Sequence, residues 1–207
     1  MKIIGVNYNT NPDWILDETD DYLVYDRSDS PDFTRNLDPA KVIRTVNIGQ
    51  VDWDKLSYLI DNYDNLPEVF LWIKTNLFKS ISEPEFNLIK GNKFFTPLLT
   101  QFHEVYTDEV GWVNYYKDGM YHERNNSWYF GAYPSKYVNN FGEWAHEFGL
   151  ESPSYLPFAP GGNYILTRET VHKYPRDYYA KMRDMLPYAR EPVEAQCAER
   201  SYYLMWR

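Results

Sequence analysis

The stretch from Asn47 to Asn76 constrains the fold more than any other part of the chain. It opens on the turn Asn47-Ile48-Gly49, places a good N-cap at Asp52, and repeats Trp53, Leu56, Ile60 and Tyr63 at the spacing of one helix face. Asn65 and Pro67 then stop the helix. Val69 to Ile73 is a continuous apolar run of the kind a strand covered on both faces requires, and it ends in the polar trio Lys74, Thr75 and Asn76. Turn, helix, turn and buried strand make the repeating unit of open α/β sheets. Such sheets bind ligands just beyond the carboxyl ends of their strands.

Other strands read the same way. Lys2 to Tyr8 is a buried strand closed by Asn7-Tyr8-Asn9-Thr10-Asn11-Pro12, Tyr22 to Tyr25 a second closed by Asp26-Arg27-Ser28-Asp29, and Val42 to Val46 a third. The alternation predicts a single α/β domain with a mostly parallel central sheet flanked by helices. Further on, Glu85 to Lys90 reads as a short helix, Val138 to Phe148 as another, and Ser152 to Pro160 as a Pro-rich loop. Gly161-Gly162-Asn163 opens a strand from Tyr164 to Thr167, and helices follow around Asp177 to Leu186 and from Val193 to the end. The segment from Trp112 to Tyr133 also holds Tyr115, Tyr116, Tyr121, Trp128, Tyr129 and Phe130, an aromatic belt that must pack on something or bind something.

Charge and cysteine usage narrow the partners. Lys plus Arg number 21 against 30 Asp plus Glu, and the net charge of −9 argues against nucleic acid or an anionic membrane as the main partner. Cys197 is alone, which excludes an internal disulfide and a thiolate metal cluster and fits a reducing, cytoplasmic compartment. No stretch approaches the ~18 apolar residues of a membrane span, and the first residues turn polar too soon for a signal peptide. Ser201 to Arg207 reads as helix with no polar tail, the ending expected of a domain cut from a longer polypeptide.

Several chemistries lack their residues. There is no Gly-x-Gly-x-x-Gly after the first strand, no P-loop, no His-Glu-x-x-His and no nucleophile elbow; His103, His122, His146 and His172 stand singly. What survives is a set of strand ends offering amides, hydroxyls and carboxylates.

Asn47-x-Gly49, a helix and a buried strand together resemble the nucleotide-sugar-binding half of GT-A glycosyltransferases. Asn-Ile-Gly, then Tyr58 to Leu71, then Gly161-Gly162-Asn163-Tyr-Ile-Leu-Thr-Arg-Glu with Pro175-Arg-Asp-Tyr-Tyr, is similar to the glycosyltransferase-like domains encoded by large algal (chlorella-type) viruses and by fungal genomes. The likeness covers most of the chain. It implies a nucleotide-binding half over residues 1–80, a donor-sugar and acceptor half over 81–207, and the host cytoplasm as the location if a virus encodes the chain.

The resemblance also implies roles. Asn7, Tyr8 and Asn9 would hold a nucleobase, Asp26 the base or ribose, and Arg27 and Ser28 the phosphates, with Gly49 shaping the turn beside them. Lys74, Thr75 and Asn76 stand where the family carries its acidic metal motif, a departure with two readings. Either Mn²⁺ or Mg²⁺ is held through Asn76 and a carboxylate such as Asp108 or Glu199, or Lys74 replaces the metal in neutralising a diphosphate. Gly161, Gly162 and Asn163 would let the backbone approach the donor sugar, and the aromatic belt would form the acceptor platform. Glu194, Glu199 and Asp118 are the candidate bases for the acceptor hydroxyl.

The expected function is therefore transfer of a sugar from a nucleoside diphosphate sugar, a UDP-sugar first, to a glycan or glycoprotein acceptor. Two rivals share the same features. A carbohydrate-binding domain without catalysis fits the aromatic belt and the missing Asp-x-Asp, and a sugar-phosphate nucleotidyltransferase fits the α/β architecture.

Overall fold

The computed structural model describes residues 1–100, 113–117 and 119–207. Asp108, Asp118 and Trp112 lie outside the described residues, so the roles expected of them have no geometry here. The chain runs β1 (Lys2–Asn7), α1 (Trp14–Glu18), β2 (Tyr22–Asp26), β3 (Val42–Arg44), α2 (Gln50–Asp61), β4 (Val69–Lys74), α3 (Glu83–Ile89) and β5 (Thr96–Pro97). It continues through β6 (Tyr115–Lys117), β7 (Met120–Arg124), α4 (Phe141–Glu147), β8 (Tyr155–Phe158), β9 (Tyr164–Thr167), α5 (Arg168–Val171), α6 (Arg176–Asp184) and α7 (Val193–Trp206).

The main sheet has six strands in the order β3-β2-β1-β4-β9-β5. The pairings β1–β2, β1–β4 and β2–β3 are parallel, but β9 runs antiparallel to β4 and to β5. The sheet is thus mixed, with a parallel half and an antiparallel edge. β9 runs against its neighbours because it leaves the Gly161-Gly162 turn beside the carboxyl end of β4 and pairs Trp72 with Tyr164 first and Val69 with Thr167 last.

Alternate residues face opposite layers, as period-2 geometry demands. Ile4, Val6, Phe70, Trp72, Tyr164 and Leu166 point into a core shared with α2, α4, α6 and α7. Ile3, Val24, Leu71, Ile73 and Ile165 point the other way, onto Ile15 of α1 and Phe86 of α3. Both faces are covered, which is why these strands read as unbroken apolar runs. A second sheet, β6-β7-β8, is antiparallel and three-stranded. It packs on α7 through Arg200, whose guanidinium makes a bidentate pair with Glu123 of β7 at 2.6 and 3.0 Å and lies over the rings of Tyr129 and Phe158. Among the described residues no helix is long and apolar enough to cross a membrane.

α2 begins at Gln50 with Gly49 as its N-cap, and Asp52 sits inside the first turn. Gly49 adopts φ +66°, and a Cβ there would lie 2.8 Å from that of Trp53, so the turn demands glycine.

Candidate functional site

In sequence order β1, β2 and β3 step outward to one side, and β4 then returns to the other side of β1. The order therefore reverses between β1 and β4, and their carboxyl ends open a crevice there. Its floor is a saturated hydrogen-bond network. The Asn7 amide donates to Asp26 Oδ1 (3.2 Å) and Ser28 Oγ (3.1 Å), while its carbonyl oxygen accepts from Thr10 (2.6 Å) and Thr75 (2.5 Å). An asparagine amide has two donors and two acceptor positions, so Asn7 is fully engaged. Asp26 is equally occupied by the Ser28 amide, Thr34 and Arg44. Burial pushes its carboxyl up, but the bonds from Ser28, Arg44 and Thr34 outweigh burial and hold it below its ordinary value. Asn7, Asp26 and Ser28 lie beneath the surface, where they lock the loops after β1, β2 and β4 together. Asn9 does the same from the rim: its backbone N–H donates to Ser28 Oγ (2.8 Å) and its side chain pairs with Asp29.

Arg27 holds the third loop. Its guanidinium donates to the carbonyl oxygens of Val46 (3.1 Å), Ile48 (2.6 Å) and Gln50 and lies 2.8 Å from the Asp54 carboxylate, with both side chains almost fully buried. Burial raises the Asp54 carboxyl to about 6 despite the opposing charge of Arg27. The turn it grips docks in turn on the segment before α7, since Gly49 N–H donates to Ala189 O (2.8 Å) and Gln50 N–H to Arg190 O (2.9 Å).

The opposite wall is the Gly161-Gly162 turn, with φ of +91° and +62°. Three polar side chains clamp it. Lys55 donates to the carbonyls of Gly161 (3.1 Å) and Gly162 (2.5 Å), Glu199 accepts from Gly161 N–H (2.6 Å), and Asn163 Oδ1 accepts from Lys74 N–H (2.7 Å). Lys55 is buried with its ammonium 4.5 Å above the Trp72 ring. Burial lowers it to about 7, and the nearby charge of Asp52 resists that shift. Asp52, bonded to the Tyr202 hydroxyl at 2.8 Å, is raised to about 6 by burial and then by the charge of Glu199.

Between these walls lies a cavity of about 470 Å³, within the range of small-molecule sites. Of the residues singled out from sequence, Tyr8, Arg27, Asn47, Lys74, Thr75, Asn76, Tyr133, Gly161 and Glu199 line it. Gly49, Gly162 and Asn163 stand behind the lining as supports. Glu194 is elsewhere: it is buried, and its carboxylate accepts from the N–H groups of Lys136 and Tyr137 and from the Tyr188 hydroxyl. These three bonds hold it under a turn, and it is not on the cavity lining.

Sequence reasoning missed Arg190 and Glu191, which lie on the rim between Pro187 and Pro192, and also Gln50 and Gln196. Arg190 donates to the Tyr8 hydroxyl at 2.7 Å and lies 3.8 Å from Glu191. The only signal was a charged pair between two prolines, which marks a rigid loop and no particular ligand. Lys74 has no hydrogen-bond or ion-pair partner for its ammonium among the described residues.

A family model matches residues 3–207, nearly the whole chain. The chain belongs to this family, described as "Protein of unknown function (DUF3431)". No curated protein and no solved structure matches it. In this member of the DUF3431 family the donors for the expected Mn²⁺ or Mg²⁺ are few among the described residues. Such ions take hard oxygens, at phosphate sites one or two carboxylates together with water and the phosphates themselves. Among the described residues no group of three or more His, Cys, Asp or Glu side chains comes together to hold one. Asn76 lines the cavity beside Lys74, and Glu199 already accepts from Gly161 N–H. The carboxylates on the described lining are thus Glu191 and Glu199, with Asn76 adding an amide oxygen, and Asp108 lies outside the described residues.

Proposed function

We propose that the protein is a glycosyltransferase of GT-A type that takes a nucleoside diphosphate sugar, with a UDP-sugar as the expected donor, and moves the sugar to a hydroxyl of a glycan or glycoprotein. The observation that carries this reading is the cavity at the β1–β4 reversal, where the rings of Tyr8 and Tyr133, three cations, two carboxylates and a close-approach glycine turn line one crevice. The base would lie against Tyr8, the diphosphate near Lys74 and Arg190, and the sugar along Gly161. Glu199 is the base we assign, because Glu194 is occupied in a turn and Glu199 lines the cavity.

In the transfer, the acceptor oxygen bonds to the anomeric carbon while the bond from that carbon to the diphosphate oxygen breaks. The electron pair of the broken bond leaves with the diphosphate, and the acceptor proton passes to the Glu199 carboxylate. Isothermal calorimetry with UDP and a panel of UDP-sugars, joined to a hydrolysis assay of the same sugars, tests the proposal. Saturable binding and slow release of free sugar are expected. Absence of binding by any nucleoside diphosphate or its sugars would remove it.

A further inference from the structure

We infer that the diphosphate is neutralised by Lys74 and Arg190, without a divalent metal; this rests on the nucleoside diphosphate reading above. A leaving diphosphate gains negative charge as its bond to the sugar breaks, and something positive must stand beside it. The cavity lining offers three cations, Arg27, Lys74 and Arg190. Arg27 is almost wholly buried, with its guanidinium committed to three backbone carbonyls and to Asp54. Lys74 and Arg190 remain.

Their placement suits the task. Lys74 is the last residue of β4, directly at the strand reversal, and its backbone N–H is pinned by Asn163 so that the side chain starts from a fixed point. Its ammonium has no hydrogen-bond or ion-pair partner among the described residues. Arg190 stands on the far rim, held by the Gln50–Arg190 backbone bond and by Tyr8, with more than half of its side chain exposed. Its planar fork matches phosphate oxygens in pairs, whereas Lys74 acts as a point charge. Glu191 and Glu199 are the carboxylates on the lining, one 3.8 Å from Arg190 and the other bonded to Gly161 N–H. A metal would have to compete with Lys74 for the same place. Like charges there repel.

In chemical terms the electron pair of the broken sugar–oxygen bond stays on the nucleoside diphosphate, and its added charge is met by one ammonium and one guanidinium that are already present. No proton need be delivered to the leaving group, and no ion need be recruited before the donor binds.

The test is calorimetry of UDP, GDP and ADP on the full chain, in EDTA and again in MnCl₂, for the wild type and for Lys74→Gln, Lys74→Arg and Arg190→Gln. The expected result is a nucleoside diphosphate that binds in EDTA with a Kd within about threefold of that in Mn²⁺, because the cations are built in. Lys74→Gln and Arg190→Gln should each weaken it at least about tenfold, and Lys74→Arg should restore most of the loss, since bonds to charged groups are worth that much. The affinity for UMP should change less than that for UDP. A Kd that improves tenfold or more with Mn²⁺, or both Gln variants binding like wild type, overturns the inference while leaving the donor class intact. No binding of any nucleotide in either buffer overturns the donor class as well. The EDTA comparison needs only wild-type protein, so a variant that does not fold leaves the question answerable.

Discussion

Lys55 shows how a single buried charge shapes the wall of the site. Its ammonium is out of water, held by two glycine carbonyls, and burial brings it down to about 7 from the ordinary 10.5. Between those two values the unfolded chain binds the proton and the folded one does not, so stability contributed at this residue rises with pH across that window. The difference in unfolding free energy between wild type and Lys55→Met should therefore grow from pH 7 to pH 10, measured by urea denaturation at each pH; a flat difference would mean that Lys55 does not change charge there. Glu199→Gln is the complementary residue-scale prediction. Glutamine keeps an oxygen for Gly161 N–H but takes no proton, so nucleotide binding should stay within about threefold while transfer falls by about 10²- to 10⁴-fold. Equal transfer by the variant would point to a different base. Glu199 is already a candidate base in the sequence, whereas the place of Lys55 is not legible there. Asp52 and Lys55 lie on the inner face of α2, where a periodicity argument counts only the apolar positions and assigns charged ones to solvent.

At the scale of elements, the ion pair between Arg200 and Glu123 fastens the small sheet to α7. Both side chains are nearly inaccessible, so removing one partner strands the other in a dry site. Arg200→Met is expected to lower stability by about 3–5 kcal/mol, read from urea midpoints, and Glu123→Gln combined with it should recover part of that loss because the orphaned charge is gone. A single variant within 1 kcal/mol of wild type, an order-of-magnitude threshold for a surface pair, would show the contact to be peripheral. The elements divide by how strongly their pattern announces them. β1, β2, β4 and α2 were readable because long apolar runs and a clean helical repeat leave few alternatives. The direction of β9 was not, since a strand buried on both faces has the same residue pattern whichever way it runs. β8 hid inside a Pro-rich stretch: Pro157 sits in an edge strand, where the missing N–H is harmless.

Across the whole molecule, the division into a nucleotide half and a sugar half does not correspond to separable cores. β9, from the second half, completes the pairing of β4, and Trp72 of the first half packs edge-on against Tyr202 and Trp206 of α7 at 4.8 and 5.2 Å. The cavity is assembled in the same way, from strand ends of the first half and from Tyr133, Gly161, Arg190 and Glu199 of the second. Cut after residue 80, the first half would leave the Val69–Trp72 edge of β4 unpaired and one whole face of its sheet in water. A fragment of residues 1–80 is therefore expected to show no cooperative denaturant transition, whereas the full chain should unfold in one transition seen alike by tryptophan fluorescence and far-ultraviolet circular dichroism. If the fragment unfolds cooperatively, or the full chain loses its two signals at separate midpoints, then the halves are independent folding units. In that case the site would sit at an interface between them, and ligand affinity would depend on how firmly the two halves associate.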